Sequence, residues 1–142
     1  MSVNLIAKTS TTISAPAPRV WDALTNPKLI KQYFFGSEAI SDWKEGSTLN
    51  FRGEWEGKEY MDKGTILKSE PNKLFQYSYY SSFSNLPDAP ENYATVAYEL
   101  LEEDGHTTLT VKQENIANEE ARKNSEKNWE QVLQSLKDLL EK

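Results

Sequence analysis

The chain has no cysteine, which excludes a disulfide framework and any thiolate metal site. It has a single histidine, so a histidine-based metal site lacks partners. No apolar run approaches the roughly 20 residues that span a bilayer as a helix. The N-terminal stretch MSVNLIAKTS lacks the charged and apolar regions of a signal peptide. A basic surface is missing as well: 22 acidic against 16 basic residues leave a formal net charge of −6. A phosphate backbone needs clustered Lys and Arg, so nucleic acid is not expected as a partner. The absence of cysteine fits a cytoplasmic protein, and that is the expected location.

Aromatic residues, by contrast, are plentiful. Mean hydropathy is low at −0.72, yet 11% of residues are aromatic, as 7 Tyr, 5 Phe and 4 Trp. The apolar volume is concentrated in a few large side chains, which a disordered chain would lack. A length of 142 residues suits one domain with a real core rather than two. No repeat, low-complexity segment or linker interrupts it, and residues 1–142 read as a single domain.

The periodicity changes along the chain. VNLIAKTSTTIS (3–14) reads as a strand closed by Ala15-Pro16. A short helix follows over 17–24, with Val20, Trp21 and Leu24 on one side. TNPKLIKQYFFGSE (25–38) then carries a second, with Asn26 as N-cap, Pro27 at the first helical position and Gly36 as stop. Leu29, Ile30, Tyr33 and Phe34 share its face. Barely two turns cannot hold themselves together in water, so this segment must lean on something: core, or the wall of a binding site.

Beyond Gly36 the period is that of strands. Leu49 and Phe51 alternate in STLNFRG, and KEYMDKGTILKSE (58–70) is a longer strand with Gly64 marking a bulge or bend. Pro71-Asn72 is a turn, and KLFQYSYY places Phe75, Tyr77 and Tyr79 on one face, inner or outer according to register. The loop SSFSNLPDAPEN leads to NYATVAYELLEE, Asp104-Gly105 makes a tight hairpin, and HTTLTVKQEN returns. From Asn118 the period is helical to the end, with Trp129, Val132, Leu133, Leu136, Leu139 and Leu140 on one stripe. Such a helix is about 36 Å long. Glu119–Lys123 and Asp138–Lys142 are favourably ordered i,i+4 pairs. One long amphipathic helix against antiparallel strands obliges the sheet to curve around it.

In this order the segments resemble the START-like, or SRPBCC, superfamily, and within it the branch named for activators of the heat-shock protein 90 ATPase. The matching residues are Ile13, Ala15, Pro16, Val20, Trp21, Ala23, Leu24 and Pro27 at the start, and Trp129, Leu133 and Leu136 at the end. Gly64, Ile66, Pro71, Leu74 and the Gly105–Leu109 hairpin match the middle. The resemblance implies an α+β helix-grip fold: a curved antiparallel sheet around the C-terminal helix, two short helices after the first strand, and a cavity between sheet and helix. Many relatives carry paired Trp residues where this chain has Tyr33, Phe34 and Phe35. Bulk is kept there and the indole donors are lost.

Catalytic motifs are absent: no G-x-G-x-x-G, P-loop, G-x-S-x-G or EF-hand pattern occurs. His106 follows the Asp104-Gly105 turn, where a solvated hairpin tip is the ordinary reading and a general base the sharper one. Arg52, Glu54, Glu56, Glu59 and Asp62 are the polar candidates of the middle strands. Alternation turns some of them inward, where a charge must be paired or shift its pKa. No cofactor or metal is implied, and no acid, base and nucleophile constellation is evident. Three functions compete: a binding module for a small apolar or aromatic molecule, a co-chaperone of heat-shock protein 90, and a cyclase- or hydrolase-type enzyme. The known chaperone activators carry a further N-terminal domain for which this chain has no room, so the binding module leads. Its expected ligand-binding residues are Tyr33, Phe34, Phe51, Tyr77, Tyr79, Phe83, Leu86 and Trp129, with Phe83 and Leu86 in a loop that closes over the entrance. A monomer and a homodimer are both compatible with the sequence.

Overall fold

A computed structural model of the protein describes residues 5–33, 37–55, 57–80, 87, 89, 92–116 and 118–141. Strand β1 spans Leu5–Ile13, helix α1 Ala17–Thr25 and helix α2 Pro27–Tyr33. Strands β2 (Glu38–Ser41), β3 (Thr48–Trp55), β4 (Lys58–Glu70), β5 (Leu74–Tyr79), β6 (Ala94–Glu103) and β7 (His106–Ile116) follow, then helix α3 (Glu119–Leu140). All seven strands join one antiparallel sheet in the order β1-β7-β6-β5-β4-β3-β2. The first two strands in sequence therefore form opposite edges, and α1 and α2 carry the chain between them. This is the expected helix-grip architecture.

Local chemistry sets the boundaries. Asn26 caps α2: its Oδ1 accepts from Lys28 N at 3.0 Å, and its carbonyl from Leu29 and Ile30. Asn118 does the same for α3, accepting from Ala121 N at 2.8 Å. Asp104 (φ 52°) and Gly105 (φ 81°) both take the left-handed conformation, the signature of a type I′ turn between β6 and β7. Gly64 is needed for a different reason than a bulge. A Cβ there would meet the Ser78 carbonyl oxygen at 1.6 Å, so β4 and β5 approach closely at this point. The register shift falls between Ile66 and Lys68 instead.

The long helix presents Trp129, Val132, Leu133, Leu136 and Leu140 to the sheet, all buried, each apolar side chain stabilising by roughly 1.5–3 kcal/mol on burial. Its surface pairs differ from those expected. Glu119 bonds Arg122, not Lys123, and Arg122 also reaches Glu126 at 2.8 Å. Asp138–Lys142 involves a residue outside those described, and Lys137 pairs with Glu141 at 2.6 Å. No helix among the described residues is long and apolar enough to cross a membrane.

Candidate functional site

Alternation along the strands decides which side chains face inward. Leu49 and Phe51 of β3, Phe75 and Tyr77 of β5, and Val96, Tyr98 and Leu100 of β6 are buried on the concave face. Above them lie Leu24 of α1 and Ile30 and Tyr33 of α2, also buried. Trp43 enters from the turn after β2 with φ 63°, a left-handed conformation costing a bulky residue on the order of 1–3 kcal/mol. Its amide donates to Ser41 Oγ at 3.0 Å, and its ring lies 6.2 Å from that of Phe75. An interior space is lined by Leu24, Ile30, Tyr33, Trp43, Leu49, Phe51, Phe75, Tyr77 and Tyr98.

The space is small. Its volume is about 10 Å³, room for about one water molecule. Aromatic rings fill the rest, with Phe75 stacked on Tyr98 at 6.2 Å and Phe51 tilted against Tyr77 at 6.0 Å. The lining of this space comes from the sheet, α1, α2 and Trp43, and none of it from α3.

Three phenols reach into this interior, and each is partnered. Tyr33 donates to the Ala23 carbonyl at 2.7 Å, joining α2 to α1. The hydroxyls of Tyr77 and Tyr98 lie 3.1 Å apart. Burial pushes the pKa of all three hydroxyls up from the ordinary phenol value, and the nearby Tyr98 adds to the shift at Tyr33 and Tyr77. They remain protonated at neutral pH, suited to hydrogen bonding and not to abstracting a proton. Among the described residues no buried side-chain polar atom lacks a partner.

The structure gathers some expected site residues and separates others. Tyr33, Phe51 and Tyr77 line the interior together. Tyr79 is half-buried beside it, its ring 6.1 Å from that of Phe51, and donates to Asp62 Oδ2 at 2.5 Å. Trp129 stands one ring behind, edge-on to Tyr98 at 5.9 Å, with its indole N–H on Gln113 Oε1 at 2.9 Å. Phe34, Phe83 and Leu86 lie outside the described residues, and with them the expected lid.

Of the polar candidates, Arg52, Glu54 and Glu59 are exposed, Asp62 is buried, and Glu56 is outside the described residues. His106 is exposed on the hairpin, paired across it with Glu103. Sequence reasoning missed Tyr98, although Val96, Tyr98 and Leu100 share the parity that would have found it. Trp43 carried no such signal, because its backbone conformation follows no period. Among the described residues no three His, Cys, Asp or Glu side chains converge in a way that could hold a metal ion.

A curved seven-stranded antiparallel sheet, a long C-terminal helix and two short helices after the first strand define a START-like protein. The family can also be given: the model of the "Activator of Hsp90 ATPase homolog 1-like protein" family matches residues 14–141, and the chain belongs to that family. It is similar to ChR145 from Cytophaga hutchinsonii, whose solution structure shows 45% identity and a TM-score of 0.87 over 99% of this chain and 97% of that one. CalU16 from Micromonospora echinospora shows 23% identity and a TM-score of 0.69, covering 96% of this chain and 81% of that one. The Aha1 dimer from Colwellia psychrerythraea shows 19% identity and a TM-score of 0.76, with 96% of both chains covered. The latter two share the fold. No curated protein matches the chain in sequence.

Proposed function

We propose that residues 1–142 form one binding module for a small apolar or aromatic molecule, taken into the aromatic interior beneath α1 and α2. The observation that carries this reading is the composition of the lining. Six of the nine lining residues are aromatic, three of them tyrosines. A core built only for packing gains nothing from phenols whose hydroxyls must each find a partner, whereas large rings with a few convergent polar groups are the usual wall of a ligand site.

A space of about 10 Å³ holds about one water molecule, so a larger ligand enters only by displacing part of the lining. Helix α2 is the element that yields at least cost. It has seven residues, too few for stability of its own, and is docked by Leu29, Ile30, Tyr33 and the Tyr33–Ala23 hydrogen bond. Titration with a neutral fluorescent probe such as N-phenylnaphthylamine, followed by backbone amide shifts, tests this. One-to-one saturable binding with shifts on α2, β3 and β5 is expected. Shifts confined to the outer sheet face, or no saturation, would refute it.

The family description, and a structural relative described as an Aha1 dimer, favour a second reading, action on the heat-shock protein 90 ATPase. Under the binding reading, adding this chain to the chaperone in a steady-state ATPase assay gives little stimulation. Robust stimulation would place the co-chaperone reading first. Enzymatic turnover has no comparable support.

A further inference from the structure

We propose that the paired hydroxyls of Tyr77 and Tyr98 determine the specificity of the interior site, and that the ligand class is a neutral aromatic molecule carrying a carbonyl oxygen. This rests on the binding reading above and deepens it. Three phenols line the space, and each O–H is one donor. Tyr33 commits its proton to the Ala23 carbonyl at 2.7 Å. Tyr77 and Tyr98 share one hydrogen bond of 3.1 Å between their hydroxyls. Both oxygens thus have a partner, but two protons are present and the bond uses one.

Whichever hydroxyl donates, the other keeps an O–H with no acceptor among the described residues. The side chains around the pair supply none. Leu24, Ile30, Leu49, Phe51 and Phe75 carry no polar side-chain atom, and the indole N–H of Trp43 is itself a donor. Tyr77 is 2% and Tyr98 6% exposed, so bulk water does not serve the surplus proton. A buried donor left unpaired is destabilising, and two Phe residues would fill nearly the same volume without one. A hydroxyl pair with one proton in excess, set inside an apolar aromatic wall, points to recognition.

The chemistry selects the partner. An acceptor that brings no proton of its own completes the arrangement. A carbonyl oxygen takes the free O–H, and its aromatic body packs against Phe51 and Phe75, whose rings lie 6.0 and 5.8 Å from that of Tyr77. A hydrocarbon of the same shape leaves the donor unpaired. Charged ligands are disfavoured with either sign. A carboxylate loses its hydration and finds no cation among the lining residues. An ammonium meets phenols that burial keeps protonated and uncharged.

The test uses the full chain and two probes of one shape: acetophenone, and α-methylstyrene, in which a methylene group replaces the oxygen. Each is titrated by amide shift perturbation, and the carbonyl stretch of bound acetophenone is read by infrared difference spectroscopy. In the wild type the stretch should lie below its position in an alkane solvent, because accepting a hydrogen bond lowers it. Tyr77→Phe combined with Tyr98→Phe removes both hydroxyls and preserves shape, a change nearly neutral for stability when both partners of a bond go together. The double variant should bind acetophenone about tenfold more weakly, bind α-methylstyrene no more weakly, and return the stretch to its alkane position. Either single variant leaves one phenol whose proton has no partner, so each should keep the lowered stretch. An alkane-like stretch in the wild type would overturn the role of the pair and leave the binding reading intact. Unchanged acetophenone affinity in a folded double variant would do the same. If neither probe shifts the lining residues, the binding reading falls and this inference with it. The wild-type stretch decides the matter even if the double variant does not fold.

Discussion

Two regions of the molecule hold their elements together by opposite means. Where the β6–β7 hairpin meets α1 and the end of α3, directional polar contacts form a clasp. Ser14 N donates to Glu141 Oε2 at 2.9 Å, Ala17 N to Glu102 Oε1 at 2.5 Å, and Arg19 Nη2 to the Leu140 carbonyl at 3.1 Å. Lys137 Nζ reaches both the Thr12 carbonyl and Glu141. The aromatic interior under α2 is held instead by ring contacts and by the Tyr33–Ala23 and Tyr77–Tyr98 bonds. Hydrogen bonds to backbone fix position and angle, whereas apolar contact is non-directional and survives rearrangement at modest cost. The clasp therefore secures the frame, and the region proposed above to take a ligand is secured by the more forgiving kind of contact.

The largest expected effect breaks both regions at once. Leu133 is buried beneath the sheet, and Leu133→Asp leaves a carboxylate without a partner at a cost of several kcal/mol, comparable to a domain's whole stability. Circular dichroism should show an unfolded chain at room temperature. A wild-type melt would remove Leu133 from the shared core.

Tyr33→Phe sharpens the comparison on the aromatic side. It deletes the hydrogen bond from Tyr33 of α2 to the Ala23 carbonyl of α1 and leaves that carbonyl without it, costing about 1–2 kcal/mol in urea denaturation. Because α2 is then easier to displace, amide exchange on α2 should accelerate while exchange on α3 rises only as far as global stability falls. Equal acceleration at both sites would mean that α2 does not open independently.

On the clasp side, the effect is smaller and depends on pH. The hydrogen bond from Lys137, followed by that from Ser14 N, holds the Glu141 carboxyl below its ordinary pKa. A folded-state pKa below the unfolded value stabilises above the unfolded pKa, and that contribution is lost as pH falls through the depressed value. Acidification below the ordinary carboxylate range should loosen the α3 terminus in the wild type. In Glu141→Gln that component of the acid dependence should be missing, measured as the difference in melting temperature between neutral and acid pH. Since the group is solvent-exposed and screened, the difference should shrink at high salt.

The smallest effect is expected at His106, exposed at the edge of the clasp. His106→Ala should change stability by no more than about 0.5 kcal/mol and leave probe binding unaltered. A large loss of binding would relocate the site to the hairpin.

Much of this molecule was readable in the chain, because helices and strands announce themselves within windows of about ten residues. The stripe from Trp129 to Leu140 specified α3, alternation specified β4 across residues 58–70, and Asp104-Gly105 specified the hairpin, each through a period or a turn that local sterics impose. What the chain alone left open was which parity faced inward on β5, and so whether Phe75 and Tyr77 belonged to the core or to solvent. That depends on pairing with β4 and β6, whose residues are distant in sequence. The same long-range register brought Asp62 against Tyr79 and buried it while its neighbours stayed exposed. It set Tyr98 opposite Phe75 and made room for Trp43 in a conformation no period predicts. Cavity size was the least readable quantity of all. It is the small remainder after side chains from separate elements have filled a shared interior at close to crystal density, and only the assembled structure shows that about 10 Å³ is left over.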